Sequence, residues 1–124
     1  MPIWTILDFA EPGARNPIAD WLKSLPDGAQ AAIAARLLKM ESLRTWSEKW
    51  ATTLTGYDGI VELRIPHEKV QYRPLGMYRA GFTYVLLTGA IEKGGKIPQR
   101  HIDTAVRRRK LLLAKSDHVR PHQY

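Results

Sequence analysis

The stretch VELRIPHEKVQYR, at Val61–Arg73, carries two arginines that are predicted to share one face of a β-hairpin. Side chains alternate across a strand, so the apolar positions define a core face and leave Arg64 and Arg73 on the opposite face. A guanidinium is a planar, bidentate donor that matches phosphate oxygens. The pair therefore predicts either a phosphate clamp or an ordinary solvated sheet face.

A four-residue turn, Pro66–Lys69, is predicted to join the two strands of this hairpin. In that register Arg64 opposes Gln71 and Glu62 opposes Arg73, which makes the two arginines diagonal neighbours. Diagonal neighbours are within reach of one phosphate, while a Glu62–Arg73 pair on a solvated face would add about 0.2–1 kcal/mol. A slip of two residues would keep the same faces. Alternation alone does not distinguish a phosphate clamp from a solvated sheet face.

The net charge of +7 lies entirely in the second half of the chain. Residues 1–55 hold six basic and six acidic side chains, whereas residues 56–124 hold thirteen basic and six acidic ones. Such asymmetry points toward an anionic partner, which is nucleic acid, an acidic protein or a membrane surface.

The composition of the 124-residue chain excludes several kinds of site. Without cysteine there are no disulfides, no thiol chemistry and no cysteine-ligated metal. No apolar run approaches the roughly 18 residues of a membrane span, and MPIWTILDF lacks the basic start of a signal peptide. His118 and His122 are four apart, but Pro121 between them argues against a helical metal site. We therefore expect a cytoplasmic chain that needs no metal or cofactor.

Hydrophobic periodicity predicts the elements that must position the arginines, in the order β–α–α–β–β–β–α. Asn16 and Pro17 are typical of a helix start. The predicted elements are strand Trp4–Phe9, helices Ile18–Leu25 and from Ala29 onward, strands Ile60–Ile65, Val70–Leu75 and Tyr78–Ile91, and a helix after Pro98. Short turns between strands favour an antiparallel sheet with the helices on one side, an α+β domain over residues 1–116. Residues 117–124 are expected to be a flexible tail.

The two arms of the hairpin belong to a series of motifs in a fixed order along the chain. They are GIVELR at Gly59–Arg64, QYR at Gln71–Arg73, YVLLTGAI at Tyr84–Ile91, KIP at Lys96–Pro98 and IDTA at Ile102–Ala105. In this order and spacing they resemble the RelE/HigB superfamily of bacterial toxins, most closely its phage-derived HigB-like branch. The resemblance covers nearly the whole chain. It implies a RelE/ParE-like α+β fold, with an antiparallel sheet on which an N-terminal αα-hairpin and a C-terminal helix pack.

The resemblance also implies an activity, which is metal-independent endoribonuclease cleavage of mRNA on the ribosome by the toxin of a toxin–antitoxin pair. The implied partner is a helix-turn-helix antitoxin. The implied assembly is either a homodimer of this chain or a heterotetramer of this chain and that antitoxin. Attack of a 2′-hydroxyl on RNA passes through a negatively charged phosphorane, which preorganised cations stabilise. By motif, Arg64 and Arg73 would hold the phosphate, and Lys93 would stabilise the leaving oxygen or donate a proton.

The general base is open among several side chains. His67, in the hairpin turn, is assigned to the catalytic group, with an ordinary exposed turn histidine as the alternative. Glu62, Tyr84 and His101 are further candidates, whereas Tyr72 is expected to pack in the core. Contacts to the RNA backbone are predicted for Lys69, Lys96, Arg100, Arg107 and Arg108, the alternative for the Arg107–Lys110 run being a solvated helix face.

Two other functions fit the same resemblance. One is a RelE-fold module that binds RNA or a protein without cleaving, because Glu92-Lys93 stands where many relatives carry two basic residues. The other is a gyrase inhibitor, because the ParE branch shares the fold. The arginines at the family positions favour RNA cleavage over gyrase inhibition.

Overall fold

The structure, a computed structural model, describes residues 2–124 and forms a mixed α+β fold. Its elements are β1 (Thr5–Phe9), α1 (Pro17–Lys23), α2 (Asp27–Glu41), β2 (Ala51–Thr53), β3 (Val61–Leu63), β4 (Ile65–His67), β5 (Val70–Tyr72), β6 (Leu75–Arg79), β7 (Thr83–Thr88), α3 (Gln99–Ala114) and β8 (Val119–Pro121). Among the described residues, no helix has both the length and the apolar character needed to cross a membrane.

Six of the strands form one sheet in the order β2-β3-β6-β7-β1-β8, and β4 pairs with β5 as a separate hairpin. The sheet is mostly antiparallel, as predicted, but β1 and β7 run parallel. The prediction of a single long strand over Tyr78–Ile91 is wrong. A turn at Gly81 and Phe82, which both have positive φ, separates β6 from β7. The strand β2 is only three residues long, too short to leave a periodic signal.

Helices cover both faces of the sheet, which corrects the expectation that they would share one side. Alternate residues of β7 belong to two different cores: Tyr84 and Leu86 pack with α1 and α2, while Val85 and Leu87 pack with α3. Both faces of this central strand are therefore apolar. In the stretch Val61–Arg73, the face that carries the arginines is turned toward α3. It is therefore not a freely solvated surface.

The helix boundaries follow local chemistry. Asn16 caps α1 as predicted, its side-chain oxygen accepting hydrogen bonds from the N–H groups of Ile18 and Ala19 at 2.9 and 3.0 Å. The helix α2 ends at Glu41 rather than continuing through Trp46. Instead, the indole N–H of Trp46 donates to the carbonyl of Met40 at 2.8 Å, a carbonyl at the helix end that also accepts from the Leu43 N–H at 3.2 Å.

The C-terminal residues are an ordered part of the sheet, and the loose tail expected over residues 117–124 is not what the structure has. Strand β8 pairs antiparallel with β1. Beyond it, His122 Nδ1 lies 2.7 Å from Asp8 Oδ1, and the two side chains are 3% and 2% exposed. Asn16 donates to the other oxygen of Asp8 at 2.9 Å. A buried polar network of this kind ties the end of the chain to its first strand.

Candidate functional site

The hairpin that carries the arginines turns on two residues, not on the predicted four. Glu68 and Lys69 both have positive φ, 47° and 67°, the conformation that two-residue hairpin loops of type I′ require. His67 consequently pairs with Val70 and lies in β4 rather than in the turn. The sequence lacks the usual Asn-Gly signal for such a turn, which is why pattern alone missed it.

The tighter turn shifts the register by two residues and changes which side chains face each other. Ile65 pairs with Tyr72, and the same register continues to Glu62 opposite Leu75. Arg64 and Arg73 therefore occupy directly opposite positions, whereas the predicted register had them diagonal. The assignment of faces is unchanged, since a shift of two keeps every side chain on its side.

The face that carries both arginines is partly buried. Glu62 is 6% and Arg73 is 9% exposed. Glu62 lies beside the loop before α3 and the first turn of α3, whereas Arg73 is enclosed by Gln71 and Glu92. The predicted Glu62–Arg73 pair does not form. Glu62 instead accepts from Arg64 Nη2 at 2.9 Å, and Arg73 Nη2 lies 3.5 Å from a carboxylate oxygen of Glu92.

The segment after β7 brings Glu92 to Arg73. The Arg73 N–H donates to the carbonyl of Ala90 at 2.8 Å, and the Glu92 N–H donates to the carbonyl of Gln71 at 2.9 Å. This short ladder continues the sheet edge beyond the hairpin. The Gln71 side chain also accepts from Arg73, at 3.1 Å, so the Arg73 guanidinium is held by its neighbours.

An open cleft of about 360 Å³ lies where the hairpin, the loop before α3 and the first turn of α3 meet. Its charged lining consists of Glu62, Arg64, Glu92 and Lys96. Its other lining residues are Leu54, Tyr57, Gly95, Ile97, Gln99 and Ile102. The Arg64 side chain is 43% exposed, so its guanidinium is accessible to a ligand in the cleft.

Two lysines are placed side by side at the rim of the cleft. Gly94 and Gly95 have φ of 57° and 77°, and the turn they make pairs Lys93 with Lys96 through two backbone hydrogen bonds of 2.8 and 3.1 Å. Left-handed backbone at both central positions is what glycine allows at no steric cost. The Gly-Gly dipeptide flanked by lysines was the signal in the sequence that could have identified this pair.

His101 and Tyr84, two candidates for the general base, differ sharply in environment. Burial and the positive charges of Arg100 and Lys93 lower the pKa of His101, which favours the neutral ring, the form that can accept a proton. Tyr84 is fully buried on the opposite face of the sheet, where it donates its hydroxyl to the Val61 carbonyl at 2.9 Å. Burial raises the pKa of Tyr84 well above its usual value, and its hydroxyl is enclosed in the core on the side of the sheet away from the cleft, so it is not a general base there.

His101 and the remaining predicted site residues are not among those that line the cleft. His67 is on the α2 side of its strand, where its ring approaches Gly28. Lys69 is exposed in the hairpin turn, and Arg100 and Arg107 are exposed along α3. Arg108 is half-buried, donating to the Leu87 carbonyl at 2.8 Å with its guanidinium 5.5 Å from the Phe9 ring centre. Arg108 thus contributes to packing.

Potential metal ligands do not gather anywhere in residues 2–124, where no three His, Asp or Glu side chains form a group that could hold an ion. Positive charge at the cleft comes from guanidinium and ammonium groups instead.

Comparison with known proteins gives one family. The family described as "Phage derived protein Gp49-like" matches residues 20–110, well over half of the chain, including α2, the hairpin, the cleft and most of α3. No curated protein matches the chain. The chain therefore belongs to the phage-derived Gp49-like family, a family of toxin-type proteins related to RelE and HigB.

Proposed function

We propose that this protein is an HigB-like toxin that cleaves mRNA without a metal ion, in the cleft lined by Arg64. The single observation that carries the proposal is the accessible Arg64 guanidinium beside the buried Glu62 carboxylate, with Lys96 in the same cleft. A cation, a carboxylate and an ammonium group within one open cleft are the parts that attack of a 2′-hydroxyl on a phosphodiester requires. The family supports a toxin-type function in general terms.

Each group has a distinct role in the proposed reaction. Arg64 binds the scissile phosphate and stabilises the negative charge of the phosphorane. Lys96, together with Lys93 beside it, stabilises the leaving 5′-oxygen. Arg73 acts indirectly, because its guanidinium contacts Glu92 and Gln71 rather than the phosphate. Its role is to add positive charge on the buried side of the cleft. The exposed Arg100 and Arg107 on α3 contact the flanking RNA backbone.

The proposed proton acceptor is Glu62 or His101, and the dependence of the rate on pH separates the two. If His101 is the base, kcat/KM falls as pH drops through its lowered pKa, below the ordinary value of about 6.5. Measuring cleavage between about pH 5 and about pH 8 in the wild type and in His101→Asn tests this. If the fall of kcat/KM at low pH disappears in His101→Asn, His101 is the base. If the fall is the same in the variant and the wild type, His101 is excluded and Glu62 is the remaining candidate.

Expression of the chain by itself is the direct test of the proposal. We expect growth arrest, cleaved mRNA and intact DNA, with arrest relieved by co-expression of a helix-turn-helix antitoxin, the proposed partner. In the proposed assembly the chain forms a homodimer or a heterotetramer with that antitoxin. Purified protein should cut RNA in the presence of EDTA and act on translating ribosomes. DNA damage with intact mRNA would instead indicate a gyrase inhibitor.

A second candidate, a non-cleaving RelE-fold module, is favoured by the ion pairs that the two arginines make with carboxylates lining the cleft. Both clamp arginines already contact carboxylates, Arg64 with Glu62 and Arg73 with Glu92. A carboxylate beside each guanidinium weakens the field that would draw in a phosphate. Glu92→Lys distinguishes the two candidates: it should raise the cleavage rate of an enzyme, and should leave a module without cleavage activity but with tighter RNA binding.

A further inference from the structure

We propose that Arg36, on α2, is the positioning residue for Arg64, an inference that rests on the proposed RNA cleavage. Arg36 does not line the cleft. Its guanidinium Nη1 donates to the backbone carbonyl of Arg64 at 2.6 Å. Arg36 therefore acts on a phosphate only through the residue whose backbone it holds.

Arg64 needs such support because it lies between two strands that belong to different sheets. Strand β3 ends at Leu63, and β4 begins at Ile65. At this junction the Arg64 N–H extends the pairing of β3 with β2 by one residue, donating to the carbonyl of Trp50 at 2.8 Å. Its carbonyl is held by Arg36. Both polar groups of the Arg64 backbone thus depend on partners from outside its own hairpin.

The three residues form a closed loop of contacts. The Arg36 guanidinium lies over the Trp50 ring, with its central carbon 4.2 Å from the ring centre. Trp50 in turn provides the carbonyl that holds the Arg64 N–H. A cation over a tryptophan face is attracted by about 0.5–1 kcal/mol at an exposed site, more when it is desolvated. Arg36 is thereby oriented by the same residue that fixes the other side of Arg64.

The position of the Arg64 backbone matters because a displacement of about 1 Å in a catalytic group can cost about 100-fold in rate. Arg64 Nε donates to Glu62 Oε1 at 2.9 Å, so the direction of its side chain depends on the distance between these two backbones. Loss of the Arg36 contact releases one end of the Arg64 peptide unit and loosens that ion pair. A phosphate in the cleft would then meet a guanidinium that samples several directions.

Steady-state kinetics on Arg36→Ala test the proposal, with Arg44→Ala as the matched control. Arg44 is also an arginine over an aromatic ring, Phe82, but it has no contact with Arg64. We expect kcat to fall about 10-fold or more in Arg36→Ala with KM changed less than about threefold, and both constants unchanged in Arg44→Ala. Arg36→Lys keeps a donor and should recover part of the rate. Equal kcat in Arg36→Ala and wild type would overturn the proposal.

Salt dependence distinguishes positioning from the loss of a positive charge. A through-space charge effect is screened at high ionic strength, so the ratio of wild-type to variant rate would shrink as salt is added. Positioning predicts a ratio that stays constant between about 0.05 M and about 0.5 M salt. A ratio that approaches one at high salt contradicts the proposal.

Side-chain NMR gives a readout that does not need RNA cleavage, so failure of the proposed function would not hide the result. The Arg64 Nε–H, which donates to Glu62, should exchange slowly with solvent in wild type and at least about fivefold faster in Arg36→Ala. Unchanged exchange refutes the positioning role even if RNA is cut. Should Arg36→Ala fail to fold, Trp50→Leu removes the ring beneath Arg36 while keeping the Trp50 carbonyl, and the same acceleration is expected.

Discussion

Replacing Arg64 by alanine is expected to lower the rate of RNA cleavage by about 100-fold to 1000-fold, the range seen when one preorganised donor to a developing oxyanion is removed. Arg64 is the one arginine in the cleft lining, and its guanidinium is accessible there. Arg64→Lys keeps the charge but loses the planar pair of donors, so an intermediate rate is expected. Single-turnover cleavage of a short RNA measures both variants.

Arg15→Ala is the matched control for Arg64→Ala. Arg15 also pairs with a carboxylate, that of Asp20, at 2.8 Å, but the pair is on the surface and outside the cleft. Loss of such an exposed pair should cost little stability and no activity. Because Arg64→Ala leaves the buried Glu62 without its salt bridge, melting temperature is recorded alongside the rate. A folded Arg64→Ala protein that cuts RNA at the wild-type rate would reject the clamp.

Replacing His122 by alanine should destabilise the fold more than any surface substitution, by about 3–5 kcal/mol. His122 and Asp8 lie 2.7 Å apart and are almost fully buried. Without the imidazole, the Asp8 carboxylate keeps only the bond from Asn16 and stays inside the protein beside a cavity. Urea titration followed by tryptophan fluorescence measures the loss, and we expect the melting temperature to fall by about 10–20 °C.

Gln123→Ala provides the control for His122→Ala, because Gln123 is the next residue and is exposed. Its effect should stay within about 0.5 kcal/mol. The double variant Asp8→Ala/His122→Ala should be less destabilised than the sum of the single variants, since it removes both partners of the pair. If His122→Ala unfolds at the same urea concentration as the wild type, the C-terminal contact is not part of the cooperative fold.

Local signals predicted much of the secondary structure correctly. The Asn16-Pro17 start of α1, the apolar stripe of α2 and the helix after Pro98 all depend on contacts within a few residues, which the sequence displays directly. The faces of the hairpin were also correct, because a strand alternates with a period of two whatever its partner. Alternation survived even a register error of two residues.

Two predictions failed locally, the four-residue hairpin turn and the single strand over Tyr78–Ile91, because Glu68-Lys69 and Gly81-Phe82 are not the usual turn dipeptides. The other predictions that failed depended on contacts between distant segments. Strand β8 consists of only three residues, and it exists because β1, more than a hundred residues earlier, presents a free edge. The burial of Glu62 and Arg73 depends on segments distant in the sequence, the start of α3 beside Glu62 and Glu92 beside Arg73. Polar residues inside the fold look like surface residues in a sequence, since hydrophobic pattern does not record their partners.

The sequence by itself determined the helices, the alternation that places Arg64 and Arg73 on one face, the excess of positive charge in the second half, and the family. Only the tertiary structure decided that the two arginines are opposite each other and that each contacts a glutamate. It also decided that Lys93 and Lys96 are paired and that Arg36 holds the Arg64 carbonyl. The physical reason is that periodicity and capping arise within one element, whereas a register, an ion pair and a cleft arise only when separate elements pack together.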